Sequence, residues 1–193
     1  MQEMAKNGAE PNAFTSNAMT AYYFDCTEHF DENLRQLLSF VSVPYFTDES
    51  VAKEQGIIAQ EIGMIEDDPD WVVFMDLMQA LYEKHPVRVS VAGSAESISH
   101  ITAETLYACH KAFYDPSNMV LCVAGDVDPE KICQAAREIL PERPGAPVAR
   151  GDYGAQEPAE VCQPMIQREM EVSVPLFQLG FKGEAAPEGE GAL

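Results

Sequence analysis

The hydrophobic pattern of the chain changes near residue 27, and this change constrains the fold more than any other feature. Residues 12–27 are rich in aromatic and β-branched side chains, which predicts two short strands joined near residues 16–18. From Phe30 onward, apolar residues recur every three or four positions, as is typical of helices. The sequence therefore predicts a hairpin followed directly by helices.

Start and stop signals divide the rest of the chain into further elements. Five helices are predicted: one capped by Thr27 and ending before Pro44, one from Thr47 or Asp48 to near Glu66, one opened by Asp68-Pro69-Asp70 and stopped before His85-Pro86, one over 102–114, and one from Asp128 to Ile139. Apolar composition predicts strands at residues 87–91, 119–124 and 170–181.

The order of these elements predicts an α+β fold, with helices packed on one face of a mainly antiparallel sheet and mixed pairing left open. We expect a single domain over residues 1–183. Within it, residues 141–164 contain five prolines and three glycines without a helical period, which predicts a long surface connection. The acidic, Gly/Pro-rich residues 184–193 are interpreted as a linker or tail.

Charge and cysteine content limit the partners and the compartment. The formal net charge of -20 gives no electrostatic basis for binding nucleic acid or an anionic membrane. The five cysteines include no C-x-x-C pair, which favours reduced thiols over a disulfide scaffold. No apolar run approaches the length of a membrane span. A cytoplasmic location is therefore expected.

Two glutamates seven residues apart give the helix at 48–66 its most informative feature. On a wheel of about 100° per residue with Val51 at zero, Glu54 and Glu61 lie at about 300° and 280°. The apolar Ile57 and Met64 lie on one side of them, and Ile58 and other isoleucines on the other. The pattern predicts two carboxylates held against apolar neighbours, which need a cation or hydrogen-bond donors.

The spacing of these glutamates favours some chemistries over others. Two helical turns separate them by about 10 Å along the axis, too far to act on one bond as an acid and base pair. A metal ligand with an accessory carboxylate fits better, and a solvated helix face is the plain alternative. The four histidines, at positions 29, 85, 100 and 110, are isolated and form no zinc motif. If this helix serves zinc, two histidines must come from outside the chain.

Several stretches over residues 8–140 together resemble one family. They are residues 8–16 (GAEPNAFTS), 20–24 (TAYYF), 54–61 (EQGIIAQE) with 67–71 (DDPDW), 93–98 (GSAESI), and 113–119 (FYDPSNM) through 125–127 (GDV). In this order and spacing the chain resembles the pitrilysin/insulinase family of zinc peptidases.

The resemblance implies roles for particular residues. In that family an inverted H-x-x-E-H motif, located shortly before the strand that starts at Asn12, supplies two zinc ligands and the base. Glu61 then corresponds to the third zinc ligand and Glu54 to an accessory glutamate near the site. Asn12, Ala13 and Phe14 correspond to the sheet edge that pairs with the substrate backbone.

The chain departs from the family pattern because no H-x-x-E-H occurs in its 193 residues. We expect it to be a fragment of the N-terminal catalytic-type half of a zinc metalloendopeptidase acting on peptides or unfolded segments. Alone, it is expected to be inactive and to bind zinc weakly. Its expected partners are the peptide substrate and the missing second half or a homologous subunit. The alternatives are a non-catalytic partner subunit and a peptide-binding module without chemistry.

Overall fold

A computed structural model describes residues 2–140 and 157–183 of the protein. Its elements, in chain order, are α1 (Gln2–Lys6), β1 (Glu10–Thr15), β2 (Thr20–Asp25), α2 (Phe30–Ser42), α3 (Asp48–Glu66), α4 (Pro69–Leu81), α5 (Ala95–Ser99), α6 (Ala103–Phe113) and α7 (Pro129–Ile139), with single 3₁₀ turns at Pro86–Arg88 and Pro116–Asn118. In the part described, β1 and β2 pair as an antiparallel hairpin. The predicted α+β class is confirmed, in a form rich in helices.

Local capping signals place most helix starts where the sequence predicts them. The side chains of Asp68, Thr102 and Asp128 each accept a backbone N–H in the first turn of α4, α6 and α7, which satisfies donors that a helix leaves unpaired. The prediction that Thr27 caps α2 is wrong. His29 precedes that helix with a left-handed backbone (φ 55°), so the chain turns into the helix two residues later.

The three strands predicted at 87–91, 119–124 and 170–181 are wrong for the described chain, where these residues form no ladder. Pro86 opens a 3₁₀ turn, and the Arg88 N–H donates to the His85 carbonyl instead of to a neighbouring strand. Val120 is 88 % exposed, and Phe177 is exposed as well. Apolar composition marks segments that are suited to a sheet, but a strand also needs a hydrogen-bonding neighbour.

The chain divides into two compact units. The first contains Met1–Lys53 and Ile101–Arg150, and the second contains Glu54–His100 and Gly151–Leu193. The predicted single domain over 1–183 stays a prediction. Residues 141–156 of the predicted connection and the predicted tail, 184–193, lie outside the described residues. Among the described helices, none is both long and apolar enough to cross a bilayer.

In the first unit, α2 packs against α7. Leu34 and Leu38 of α2 are buried together with Ala135 of α7. Phe24 of β2 and Phe30 of α2 pack against this cluster with their rings 6.2 Å apart. The hairpin is thus attached to the helices through β2.

In the second unit, residues 157–183 run along α4. The backbone N–H groups of Cys162 and Gln163 donate to the carbonyls of Leu81 and Ala80 at the end of that helix. A Cβ atom at Gly180 would lie 2.9 Å from Leu81 Cδ1, so glycine allows this close approach.

An ion pair fastens both ends of this segment to the chain after α4. Glu157 accepts the backbone N–H groups of Glu83, Lys84 and His85, and Lys182 Nζ lies 2.7 Å from Glu157 Oε1. Burial alone would raise the pKa of Glu157, but Lys182 and the three N–H groups outweigh it and lower the pKa to about 2. Glu157 is therefore part of a fixed network, and the long surface connection predicted for residues 141–164 stays a prediction.

Candidate functional site

Helix α3 carries both predicted site glutamates. The helix follows its predicted bounds closely, and Thr47 begins it by accepting the Ser50 N–H through its hydroxyl. Glu54 and Glu61 are two turns apart, about 10 Å along the axis, and both side chains are exposed. The two carboxylates are thus presented on one helix without a shared hydrogen bond.

The prediction that Glu54 and Glu61 are held out of water by apolar neighbours is wrong for the described chain, because both side chains are exposed. The helix buries a strip that includes Val51 and Ile62, and Ile62 is 3 % exposed. On the other flank of the glutamates, Met64 is 75 % exposed and Ile57 is exposed as well. Helical periodicity identifies apolar positions, but the neighbouring elements decide which of them are buried.

A hydrogen bond from Gln55, which lies between the two glutamates in the sequence, holds α3 against α5. Gln55 Nε2 donates to the Ile98 carbonyl at 2.9 Å, and Ile98 is buried. α5 is itself held by a capping box in which Ser94 and Ser97 exchange side-chain and backbone hydrogen bonds. The side of α3 that carries Gln55 is therefore held in place.

The hairpin places Asn12, Ala13 and Phe14 in β1 and leaves all three exposed. Across the hairpin they face Tyr23, Tyr22 and Ala21 of β2. Tyr22 is fixed from behind, because its hydroxyl lies 2.6 Å from that of Tyr114. Burial, followed by this hydrogen bond, raises the pKa of Tyr114. β2 is thus the anchored strand, and β1 is the strand presented outward.

The pairing pattern identifies which backbone groups of β1 point away from β2. The Ser16 N–H donates to the Met19 carbonyl next to the turn. From this pair, every second residue of β1 forms a hydrogen-bonded pair with β2, and Asn12 with Tyr23 is one of these pairs. Ala13 lies between two such hydrogen-bonded pairs, so its N–H points to the other edge of β1, which no described strand covers. There it donates to Asn12 Oδ1 at 2.8 Å. Pro11, which has no N–H, occupies another outward position, as edge strands allow.

Three of the four histidines support local structure. His85 Nδ1 accepts the Val87 N–H, His100 Nδ1 lies 2.9 Å from the Glu96 carbonyl, and His110 Nε2 lies 2.8 Å from the Val41 carbonyl. No group of three or more His, Cys, Asp or Glu side chains in residues 2–140 and 157–183 could hold a metal ion. Those residues therefore do not form a zinc site by themselves.

A buried carboxylate in α4 was missed by the sequence analysis. Asp76 is 7 % exposed and accepts two hydrogen bonds from Arg168, from Nε at 2.9 Å and from Nη2 at 2.7 Å. These bonds and the Asp76 charge raise the pKa of Arg168. The signal was present, since Asp76 is a lone charge within the apolar run of α4 and so needs a cation.

Comparisons with known proteins bear on the family. Residues 1–95 match the sequence model of "Insulinase (Peptidase family M16)", and residues 100–191 match that of "Peptidase M16 inactive domain". The chain is 49 % identical over 143 residues to the "Uncharacterized zinc protease YmfH" of Bacillus subtilis, covering 74 % of the chain and 33 % of that protein. A Mycobacterium tuberculosis protein named as an uncharacterized zinc protease is 32 % identical over 141 residues, 71 % of the chain and 32 % of its own length.

Solved structures also match the chain. An M16-like peptidase from Alicyclobacillus acidocaldarius matches with a TM-score of 0.72 and 40 % identity, over 82 % of this chain and 38 % of that one. A protease from Helicobacter pylori matches with a TM-score of 0.70 and 19 % identity over 82 % of this chain and 39 % of its own, which shows the shared fold. The chain spans about a third of the length of the curated relatives named above. With both family models and these relatives in agreement, the chain belongs to the insulinase, or M16, family of peptidases.

Proposed function

We propose that the chain is part of a zinc-dependent metalloendopeptidase that cleaves peptides or unfolded segments. The observation that carries this proposal is the pair of exposed glutamates on α3, in a chain 49 % identical to a protein named as a zinc protease. In the proposal, Glu61 is one ligand of the zinc ion of the intact protein, and Glu54 is an accessory carboxylate near it. We also expect a cytoplasmic location.

The open edge of β1 supports a role for Asn12, Ala13 and Phe14 in binding substrate. An extended peptide can add to a free strand edge through backbone hydrogen bonds, with little demand on its sequence. The outward N–H of Ala13 is a hydrogen-bond donor that such a peptide needs. In the structure this N–H donates to Asn12 Oδ1. Substrate addition would exchange this local hydrogen bond for one with the peptide carbonyl.

Zinc does not fit the described residues alone, because a zinc site needs three or more protein ligands and no such group is found among them. Because no H-x-x-E-H motif occurs in the 193 residues, we propose that the two histidine ligands and the base come from residues outside this chain. The purified 193-residue chain should contain well under one zinc per molecule after dialysis and should not cleave an unfolded protein such as casein. Stoichiometric, chelator-sensitive zinc with cleavage would contradict this prediction.

The roles of the two glutamates can be separated in the whole protein that contains this chain. Glu61→Gln should lose zinc, because it removes a ligand, and Glu54→Gln should keep zinc but lose about tenfold or more of the activity. Glu49→Gln is the matched control, since Glu49 is an exposed glutamate in the first turn of the same helix. Full zinc content and activity in Glu61→Gln would refute the ligand assignment.

The competing proposal is a non-catalytic partner subunit, favoured by the match of residues 100–191 to a domain described as inactive. A partner would assemble with an active homologous subunit and bind peptide whether or not a chelator is present. The zinc content of the whole protein distinguishes the two. Metal-free protein that still binds unfolded peptide would support the partner.

A further inference from the structure

The second unit contains a cavity of about 640 Å³ that neither the glutamates nor the hairpin uses. Its walls come from the C-terminal half of α3, from α4, from residues 88–93 and from Arg168. The volume is in the range of small-ligand sites, which combine apolar walls with a few fixed polar groups. Both kinds of wall are present here.

The apolar wall is formed by Ile62 and Ile65 of α3 with Trp71 and Met75 of α4. Ile62 and Met75 are buried, so this wall belongs to the packed interior and keeps its shape. A bulky apolar side chain entering the cavity would be removed from water against these residues.

Two arginines, Arg88 and Arg168, are among the lining residues, but their side chains differ in what they can offer a ligand. Arg168 is neutralised by the buried Asp76 through two hydrogen bonds. Arg88 is half-buried, and its Nε donates to the Tyr82 carbonyl at 3.0 Å. Within the described residues its two Nη groups have no partner, so they remain as charged donors whose direction is fixed by the Nε bond.

The charges around the cavity favour a ligand with one negative charge over a ligand with two. Glu66 is also on the wall but is exposed to water, which screens it. With Asp76 and Arg168 paired, one unpaired cation remains, which suits a single negative charge. A dianion such as a phosphate would bring a second negative charge, for which the described lining residues offer no further unpaired cation, and the net charge of -20 of the chain would oppose that second charge.

We propose that this cavity binds the free C-terminus of a peptide, with Arg88 holding the terminal carboxylate and the last, apolar side chain lying against Trp71 and Met75. A planar carboxylate matches the fork of the guanidinium Nη groups. The proposed ligand class is a peptide with one terminal charge next to a large apolar residue. The site is on α4 and the following loop and needs no metal, so it goes beyond the proposed peptidase function.

Trp71 makes the test direct, because it is the only tryptophan of the chain and lines the cavity. N-acetyl-leucyl-phenylalanine and its C-terminal amide are titrated into the purified chain with EDTA present, and tryptophan fluorescence and isothermal titration calorimetry are recorded. The acid should bind saturably with a dissociation constant below about 1 mM, and the amide about tenfold more weakly. Equal binding of acid and amide, or neither signal at about 5 mM acid, would overturn the proposal.

Variants locate the carboxylate contact. Arg88→Gln should weaken binding of the acid about tenfold, to the level of the amide, and Arg88→Lys should keep a preference for the acid. Arg137→Gln is the matched control, since Arg137 is an exposed arginine on α7 in the other unit. Unchanged binding by a folded Arg88→Gln variant refutes the assignment. If that variant does not fold, the acid and amide comparison in the unaltered chain still decides it.

Discussion

Replacing Leu34 by alanine tests whether the contact of α2 with α7 stabilises the first unit. Leu34 is 2 % exposed and packs with Leu38 and Ala135. The substitution removes three carbon atoms, worth about 2.4 kcal/mol of transfer free energy. Ala135 is too small to fill the space, so the residual cavity should raise the loss of unfolding free energy to roughly 3 kcal/mol. For a chain of this size the midpoint of thermal unfolding should fall by about 6–12 °C.

Urea unfolding followed by far-UV circular dichroism measures this loss, with tryptophan fluorescence recorded in parallel. Trp71 is in the second unit, so its fluorescence follows that unit alone, whereas circular dichroism follows the helices of both. Leu179→Ala is the matched control, because Leu179 is 69 % exposed and should change the free energy of unfolding by no more than about 0.5 kcal/mol. If Leu34→Ala costs no more than Leu179→Ala, the α2 and α7 contact does not stabilise the fold.

Three further predictions concern the polar contacts. The pKa of Glu157 is about 2 in the folded chain, so its network should stabilise the fold fully at a pH above the ordinary pKa of a glutamate, and this stabilisation should be lost as the pH falls toward 2. In Glu157→Gln the midpoint of thermal unfolding should depend less on pH over that range. An unchanged dependence would contradict this prediction. Arg168→Gln leaves Asp76 buried without its cation and should cost about 1–2 kcal/mol of unfolding free energy in urea, less than for a fully buried pair because Arg168 is half-exposed; a loss no larger than for Arg137→Gln would refute it. Tyr114→Phe removes the hydroxyl contact with Tyr22 and should cost about 1 kcal/mol by the same assay, whereas the exposed Tyr45→Phe should be neutral.

Features set by a few neighbouring residues could be read from the sequence. Asp68-Pro69 and Asp128-Pro129 predict the starts of α4 and α7 because an aspartate cap and a proline in the first turn act within that turn. The hairpin is also local, since its strands are joined by a short turn. The strands predicted at 119–124 and 170–181 required distant partners, which no local pattern specifies.

In the candidate site too, local features could be predicted from the sequence, whereas features that depend on distant residues could not. The positions of Glu54 and Glu61 on one helix follow from their spacing, but their exposure depends on what packs beside α3. Gln55 is held by the Ile98 carbonyl, a contact 43 residues away that periodicity does not contain. The Asp76 and Arg168 pair spans 92 residues, although a lone aspartate in an apolar helix already indicates that some cation must lie near it.

Under the proposed function, Glu61, Ile57 and Met64 are exposed in this chain because other parts of the whole protein cover them. A single carboxylate in water holds a metal ion weakly, because the ion keeps its hydration shell, and affinity rises only when several ligands converge. Elements that bring further ligands to Glu61 would also cover the adjacent Ile57 and Met64, which are exposed in this chain. Zinc affinity and the burial of these two side chains should therefore appear together in the whole protein. The two apolar side chains beside the glutamates thus count in favour of a shared interface over a plain solvated face.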